Sequence, residues 1–391
     1  MTSANEVYTL RWGIVATGNM AKQFVEDLLL DPSTRGVNDI RHVVRAVSSS
    51  SGADRAKQFI ESVIGGDSTA VAYGSLEELV KDPEVDAVYV SSITSAHYAN
   101  VKTCLEARKP VLCEKALTIN AAQTSALISL SKSTSTFLAE ALWTRYFPIT
   151  SHIYTLLHTQ RVLGKIHRVS SDLSLDFAVS LPKHGIRDPL VGGGALLAVG
   201  VYPLTWVMLA LYEGEKEREL PEVVAQMVMQ EVDEAKGVLE VADEQTNASL
   251  LFRKSRATAV VSCSLNMRTP PGRGVLIQGE KASASGQKEY WRIKRCVYQG
   301  QLMVPWSPHR PESYTLDIYK TKTSPASTET KEFPIPGKGL FFQADAVARA
   351  LREGKTEPNE YKLEDSLALM QVLDEIRKQG GLKYRPEVEA L

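Results

Sequence analysis

Across the first 140 residues, short β-branched runs alternate with stretches of helical periodicity, the grammar of βαβ units around a parallel sheet. Residues 12–16 read as a buried strand, and Ala21, Phe24, Val25, Leu28 and Leu29 then keep helical spacing. Strand and helix recur at 43–47 and 56–63, and again at 86–91 and 98–105. A fourth strand is expected at 110–113. Asn120 with Gln123 makes a capping-box start for the next helix, and residues 137–139 close the series.

The turn after the first strand carries the chemistry. Aligned to the dinucleotide fingerprint GxGxxG/A, Ala16 takes the first glycine position, Gly18 the second and Ala21 the third. The second position must be small so that backbone can approach a pyrophosphate, and the third so that helix packs closely on strand. Amides of Ala16, Thr17, Gly18, Asn19 and Met20, opening a helix, would hold the phosphates. At the end of the second strand an acid would select NAD through the ribose 2′-hydroxyl. Here Ser48 to Ser51 stand instead, and the first acid is Asp54. Hydroxyls of Ser49 and Ser50 with Arg41, Arg45 or Arg55 suit a 2′-phosphate, so NADP(H) is expected over NAD.

After about residue 150 the pattern changes. Long alternating runs at 169–177, 222–232, 248–265 and 275–277 fit an open, mainly antiparallel sheet with one solvated face. Helical periodicity returns at 341–353 and 363–379. The expected division is a Rossmann domain at 1–145 and an α+β substrate and dimerisation domain at 146–391, with helices of 341–380 packing back on the first. Residues 195–212 carry no charge but include Gly200, Tyr202 and Pro203, and no Lys/Arg cluster flanks them. They read as a buried helix rather than a membrane span.

Composition excludes several classes. Lys plus Arg is 45 against Asp plus Glu at 46, so bulk charge gives no case for nucleic acid or a membrane surface. Cys104, Cys113, Cys263 and Cys296 show no CxxC spacing, and the seven histidines are scattered, so no metal site is expected. Neither HExxH nor GxSxG occurs. The first twelve residues lack a basic start before an apolar run, which leads to the expectation of a reduced, cytoplasmic protein.

Residues 85–118, VDAVYVSSITSAHYANVKTCLEARKPVLCEKALT, resemble the glucose–fructose oxidoreductase/inositol dehydrogenase family. EALWTRYFP (140–148) and GGGALLAVGVYPLTW (192–206) are similar to the branch of dimeric dihydrodiol dehydrogenases and fungal NADP-dependent D-xylose 1-dehydrogenases. VADEQT (241–246), VLIQGEKASA (275–284) and the stretch 363–384 fit the same branch, so the resemblance spans nearly the whole chain. It implies an NADP-dependent oxidoreductase acting on a CH–OH group of a sugar or a cyclic trans-dihydrodiol, a homodimer through the second sheet. Lys115 matches the catalytic lysine and Tyr202 the catalytic tyrosine. Ser92, Thr94, His97, Glu114, Lys115, Trp143 and Arg145 match positions on the cofactor side. The implied substrate pocket comprises Trp143, Phe177, Ala198 and Tyr202.

Hydride transfer needs a group to take or stabilise the hydroxyl proton, and a lysine or tyrosine serves only if its pKa is lowered by burial or a neighbouring cation. Two positions depart from the family pattern. Ala116 replaces the proline after the lysine, whose bond is cis in the family, so either that bond stays cis or Lys115 moves. Ala198 replaces an aspartate four residues before Tyr202, a helical spacing that puts both side chains on one face. Those changes open an alternative: a diverged member acting on a less polar biosynthetic intermediate, as a reductase or as an isomerase or cyclase.

Overall fold

The computed structural model describes residues 7–65, 68–177, 185–231, 241–270, 272–280, 299–304, 308–319 and 325–391. Cys296 and most of the Trp/Tyr/Arg/Pro-rich stretch at 284–312 therefore lie outside the described residues, as do 178–184 and 232–240. Among the described residues the strands form two sheets.

The first holds β1 (Tyr8–Val15), β2 (Ile40–Ser48), β3 (Val71–Tyr73), β4 (Ala87–Val90), β5 (Val111–Glu114) and β6 (Leu138–Ala141) in the order β3-β2-β1-β4-β5-β6. All its pairings are parallel. β4, β5 and β6 are buried at every position, the signature of a sheet covered on both faces. Register sets Val15 beside Ser48 and Val90, and Val90 beside Cys113. Consequently residues 16–18, 49–50, 91–92 and 114–115 emerge along one carboxyl edge, at the point where strand order reverses.

The helix Asn19–Leu28 is seated by Phe24, whose ring stacks on Tyr89 at 3.8 Å and meets Trp12 edge-on at 5.4 Å. Truncating such a buried aromatic costs about 3–5 kcal/mol, so this contact fixes the helix start over the β1 turn. Late in the chain, the helix Phe341–Arg352 joins the same core through Ala344, Val347 and Ala348. Its Asp345 accepts from Arg35 at 2.9 and 3.1 Å and pairs with His42 at 2.9 Å.

The second sheet runs β14-β13-β12-β11-β7-β10-β9-β8, built from β7 (Ile166–Ser174), β8 (Glu222–Met229), β9 (Asp243–Phe252), β10 (Ala257–Ser264), β11 (Val275–Glu280), β12 (Gln299–Val304), β13 (Ser313–Tyr319) and β14 (Pro325–Glu332). Pairings are antiparallel except β7 with β10, which is parallel. Alternation is plain in β10, where Ala257, Ala259 and Val261 face the core while Thr258 and Val260 face out. The inner face packs on the helix Val201–Leu211, buried at every residue. No helix among the described residues is long and apolar enough to cross a membrane. The helix does not extend unbroken to residue 195: Leu196–Gly200 winds as a wider π-type turn. The four-residue spacing of Ala198 and Tyr202 therefore spans the junction of two helical geometries.

Candidate active site

The β1 turn bends as the fingerprint requires. Ala16 sits at φ +74°, a left-handed conformation that favours glycine, and its N–H donates to the Ser48 carbonyl at 3.0 Å. Gly18 caps the helix Asn19–Leu28, which has no side-chain cap and no acid in its first turn. A Cβ built at Gly18 meets nothing within 4 Å, so the glycine leaves space open to a ligand rather than to protein. A cavity of about 190 Å³ opens beside it, lined by Thr17, Gly18, Asn19, Lys22, Arg55 and Phe59. Uncapped amides, open space and two cations fit a phosphorylated dinucleotide.

Of the three arginines nominated for a 2′-phosphate, Arg55 reaches this cavity, whereas Arg45 donates to the Thr69 carbonyl at 2.8 Å. Arg41 lies toward the opposite end of β2 and is exposed. Lys22 was missed by sequence reasoning; its signal was its place one turn into the fingerprint helix. Ser49 is buried at the end of β2 and Ser50 is exposed.

Farther along the crevice, the Lys115–Ala116 bond is cis. His97 starts the helix His97–Glu106, with Nδ1 at 2.9 Å from the Ala116 carbonyl and Nε2 at 3.0 Å from the Ser92 carbonyl. Burial lowers its pKa, and a neutral ring donates to only one of them. It thereby ties the lysine turn to the 92–97 turn, where Ser92 Oγ accepts from Asn100 and Thr94 begins a short 3₁₀ turn. Gly192 packs against both: at φ +79°, a Cβ there would lie 2.4 Å from Ile119 Cδ1. Only glycine allows that approach.

Lys115 Nζ donates to the Ala198 carbonyl at 2.6 Å and lies 5.2 Å from the centre of the Tyr202 ring. Burial lowers the Lys115 pKa, opposed by Glu114 and Glu140. Burial has the opposite effect on Tyr202: it favours the neutral phenol, Glu114 adds to this, and the hydroxyl is pushed well above its ordinary range. The sequence-based requirement of a lowered pKa is thus met by the lysine and not by the tyrosine, which stays a proton donor.

Glu114 lies beneath the crevice, its carboxyl raised by burial although Tyr89 donates to it at 2.6 Å. Glu140, unassigned from sequence, is raised to about 7 by burial and accepts from Leu117 N–H at 3.0 Å and from the Ser366 hydroxyl. Trp143 stands beside Tyr202; its buried indole N–H has no hydrogen-bond partner among the described residues, yet lies near enough to the phenol oxygen to favour its ionised form.

The remaining nominated residues lie apart from this group. Arg145 pairs with Glu213 at 2.6 Å and stacks over Tyr361, turned into a cavity of about 340 Å³. Phe177 lines another, about 330 Å³, with Leu175, Arg268 and Thr269. In their place the structure adds His309, whose ring centre is 5.6 Å from Tyr202 and 5.9 Å from Trp143. No local sequence signal marks it.

Comparison with known proteins agrees with this geometry. The model of an oxidoreductase family with an NAD-binding Rossmann fold matches residues 10–141. The D-xylose 1-dehydrogenase (NADP(+)) of Hypocrea jecorina is 37% identical over 99% of this chain and 96% of that enzyme. The chain belongs to this oxidoreductase family. The trans-1,2-dihydrobenzene-1,2-diol dehydrogenase of Xenopus laevis, 30% identical over 96% of this chain and 99% of its own length, is a further relative. Solved structures share the fold: an NAD-binding oxidoreductase from Klebsiella pneumoniae at TM-score 0.75 and 17% identity, covering 96% of this chain and 97% of its own. A 3-ketoreductase from Actinomadura kijaniata, solved with NADP, gives 0.69 and 22%, covering 95% and 98%.

Proposed function

We propose that this family member is an NADP-dependent oxidoreductase that oxidises a CH–OH group of a sugar, in the manner of the D-xylose 1-dehydrogenase it is similar to, or of a cyclic trans-diol. The observation that carries this is the meeting of Lys115 and Tyr202, 5.2 Å apart, at the same sheet edge as the open turn around Gly18. The amides of Ala16, Thr17, Gly18, Asn19 and Met20 would hold the pyrophosphate, with Ser49, Ser50, Arg55 and Lys22 around a 2′-phosphate. Ser92, Thr94, His97 and Glu114 would support the nicotinamide end, with Trp143 alongside. When bound, NADP(+) supplies a hydride acceptor. Lys115 places positive charge where the hydroxyl oxygen gains electron density, and Tyr202, kept protonated, donates a hydrogen bond to it.

Purified protein given NADP(+) and a panel of aldoses and trans-dihydrodiols should form reduced cofactor. Absence of turnover across the panel, with NADP(+) bound, overturns the reading. Ala198 favours one second reading, a less polar substrate handled by reduction or by isomerisation or cyclisation, and product analysis separates the two.

The layout supports a cofactor-binding unit at 1–145 and a substrate unit at 146–391. The outer face of the second sheet, with Val224 70% and Val228 50% exposed, supports a homodimer through that face. Cys104, Cys113 and Cys263, buried and unpaired, are consistent with a reducing, cytoplasmic setting.

A further inference from the structure

Lys115 is placed by its turn as well as by its side chain. Its own N–H donates to Glu114 at 3.3 Å, and two residues on, the N–H of Leu117 donates to Glu140 at 3.0 Å. In the register of β5 with β6, Glu140 stands beside Cys113, one residue before Glu114. Successive side chains of a strand point to opposite faces, so the two carboxylates reach the turn from the two sides of the sheet.

Glu140 is fixed in its turn. Ser366, on the helix Leu363–Gly380, donates to its second carboxylate oxygen, and the Tyr146 hydroxyl donates to its main-chain carbonyl at 2.8 Å. The residue is 1% exposed. These bonds do not need a carboxylate. A glutamine could accept from Leu117 N–H and donate to the Ser366 oxygen, without the cost of burying a charge. What the glutamate adds is the charge, and the cation it meets is Lys115: burial works against the ammonium, and Glu114 and Glu140 work for it.

We propose that Glu140 is a positioning residue for Lys115, its carboxylate gripping the turn that carries the lysine and its charge keeping the amine an ammonium. The inference rests on the oxidoreductase reading, in which that ammonium faces the substrate oxygen.

The groups around Glu140 come from several elements. Cys113, Glu114 and Lys115 belong to β5 and the turn after it, and Tyr146 follows β6. Tyr202 faces it from the helix Val201–Leu211, and Tyr361 from just ahead of the helix Leu363–Gly380. Burial keeps the thiol and the phenols neutral, so of these Lys115 is the cation and Glu114 the other anion. Burial also raises the Glu140 carboxyl to about 7, so its charge is held at the expense of stability. The sign follows: removing that charge leaves Lys115 easier to deprotonate, and the alkaline limb of kcat/KM moves to lower pH.

The test compares wild type with Glu140→Gln and Glu140→Asp. In Glu140→Gln, kcat should fall roughly 10- to 100-fold and the alkaline limb should move to lower pH. Its melting temperature near neutral pH should stay at or above that of wild type, and its NADP(+) affinity by calorimetry within about twofold. Glu140→Asp, which keeps the charge, should hold the limb near its wild-type position. Independently of turnover, the rate at which acetic anhydride labels Lys115 across pH, read by mass spectrometry, should show the lysine titrating lower in Glu140→Gln than in wild type. A limb and a labelling profile unchanged in Glu140→Gln overturn the inference alone, as does an equal displacement of both in Glu140→Asp. Wild type inactive on every sugar and diol overturns the oxidoreductase reading, and the labelling profile then decides by itself whether Glu140 sets the charge of Lys115.

Discussion

The cofactor turn and the chemical pocket sit at one sheet edge but are assembled differently. The turn is local: Ala16 to Met20 follow β1 directly, and their geometry comes from one left-handed alanine and one helix start. The pocket is not. Lys115 follows β5, Trp143 follows β6, Tyr202 lies at the start of a buried helix of the second layer, and His309 arrives from between strands β12 and β13. A local device tolerates change elsewhere, whereas a composite one lets substrate chemistry vary while the cofactor site stays put. Ala198, at a position where the family pattern is expected to carry an aspartate, fits that freedom.

Substitutions should break the two regions separately. The largest effect is expected from Lys115→Met, which removes the only cation seen against Tyr202 among the described residues. Turnover should fall about 10²–10⁴-fold while NADP(+) affinity changes little, as steady-state kinetics and calorimetry would show. Gly18→Val should do the reverse. Its side chain enters space that holds no protein, so thermal stability should hold while NADP(+) affinity drops roughly 30-fold or more. Smaller again, Arg55→Ala should reduce the preference for NADP over NAD by about tenfold, through loss of one charge-assisted contact, read from Kd for both cofactors.

The smallest effect concerns stability and pH. Glu140 has a folded-state pKa of about 7 against an ordinary 4.5. Between those values the folded protein keeps a proton that the unfolded chain has lost, so this group makes stability fall as pH rises. Glu140→Gln should flatten that slope, raising Tm near neutral pH by a few degrees relative to wild type. A melting series across that range checks it.

How much of this was legible depended on how local each feature was. The β1 turn, the strand at 111–114 and the Asn120 cap could be read because sequence neighbours make them; the Asn120 side chain does accept from Gln123 N–H at 2.9 Å. β3 was not read, because three residues, Val71 to Tyr73, leave no period to detect. β14 was hidden by its composition, PASTETKE, which as an edge strand needs no apolar face. The π-type turn at Leu196–Gly200 could not be foreseen, since a run buried nearly all round carries no phase. Lys115 and Tyr202 were found through motif resemblance. His309 was not, because only the folded chain brings it to them.

The most direct test of the account mixes the purified protein with saturating NADP(+) and D-xylose or a trans-dihydrodiol and follows reduced nicotinamide by absorbance, beside Lys115→Met under the same conditions. The account predicts steady formation by wild type and near silence from the variant, with both still binding NADP(+). Equal rates from the two, or a wild type that binds no nicotinamide dinucleotide, would contradict it.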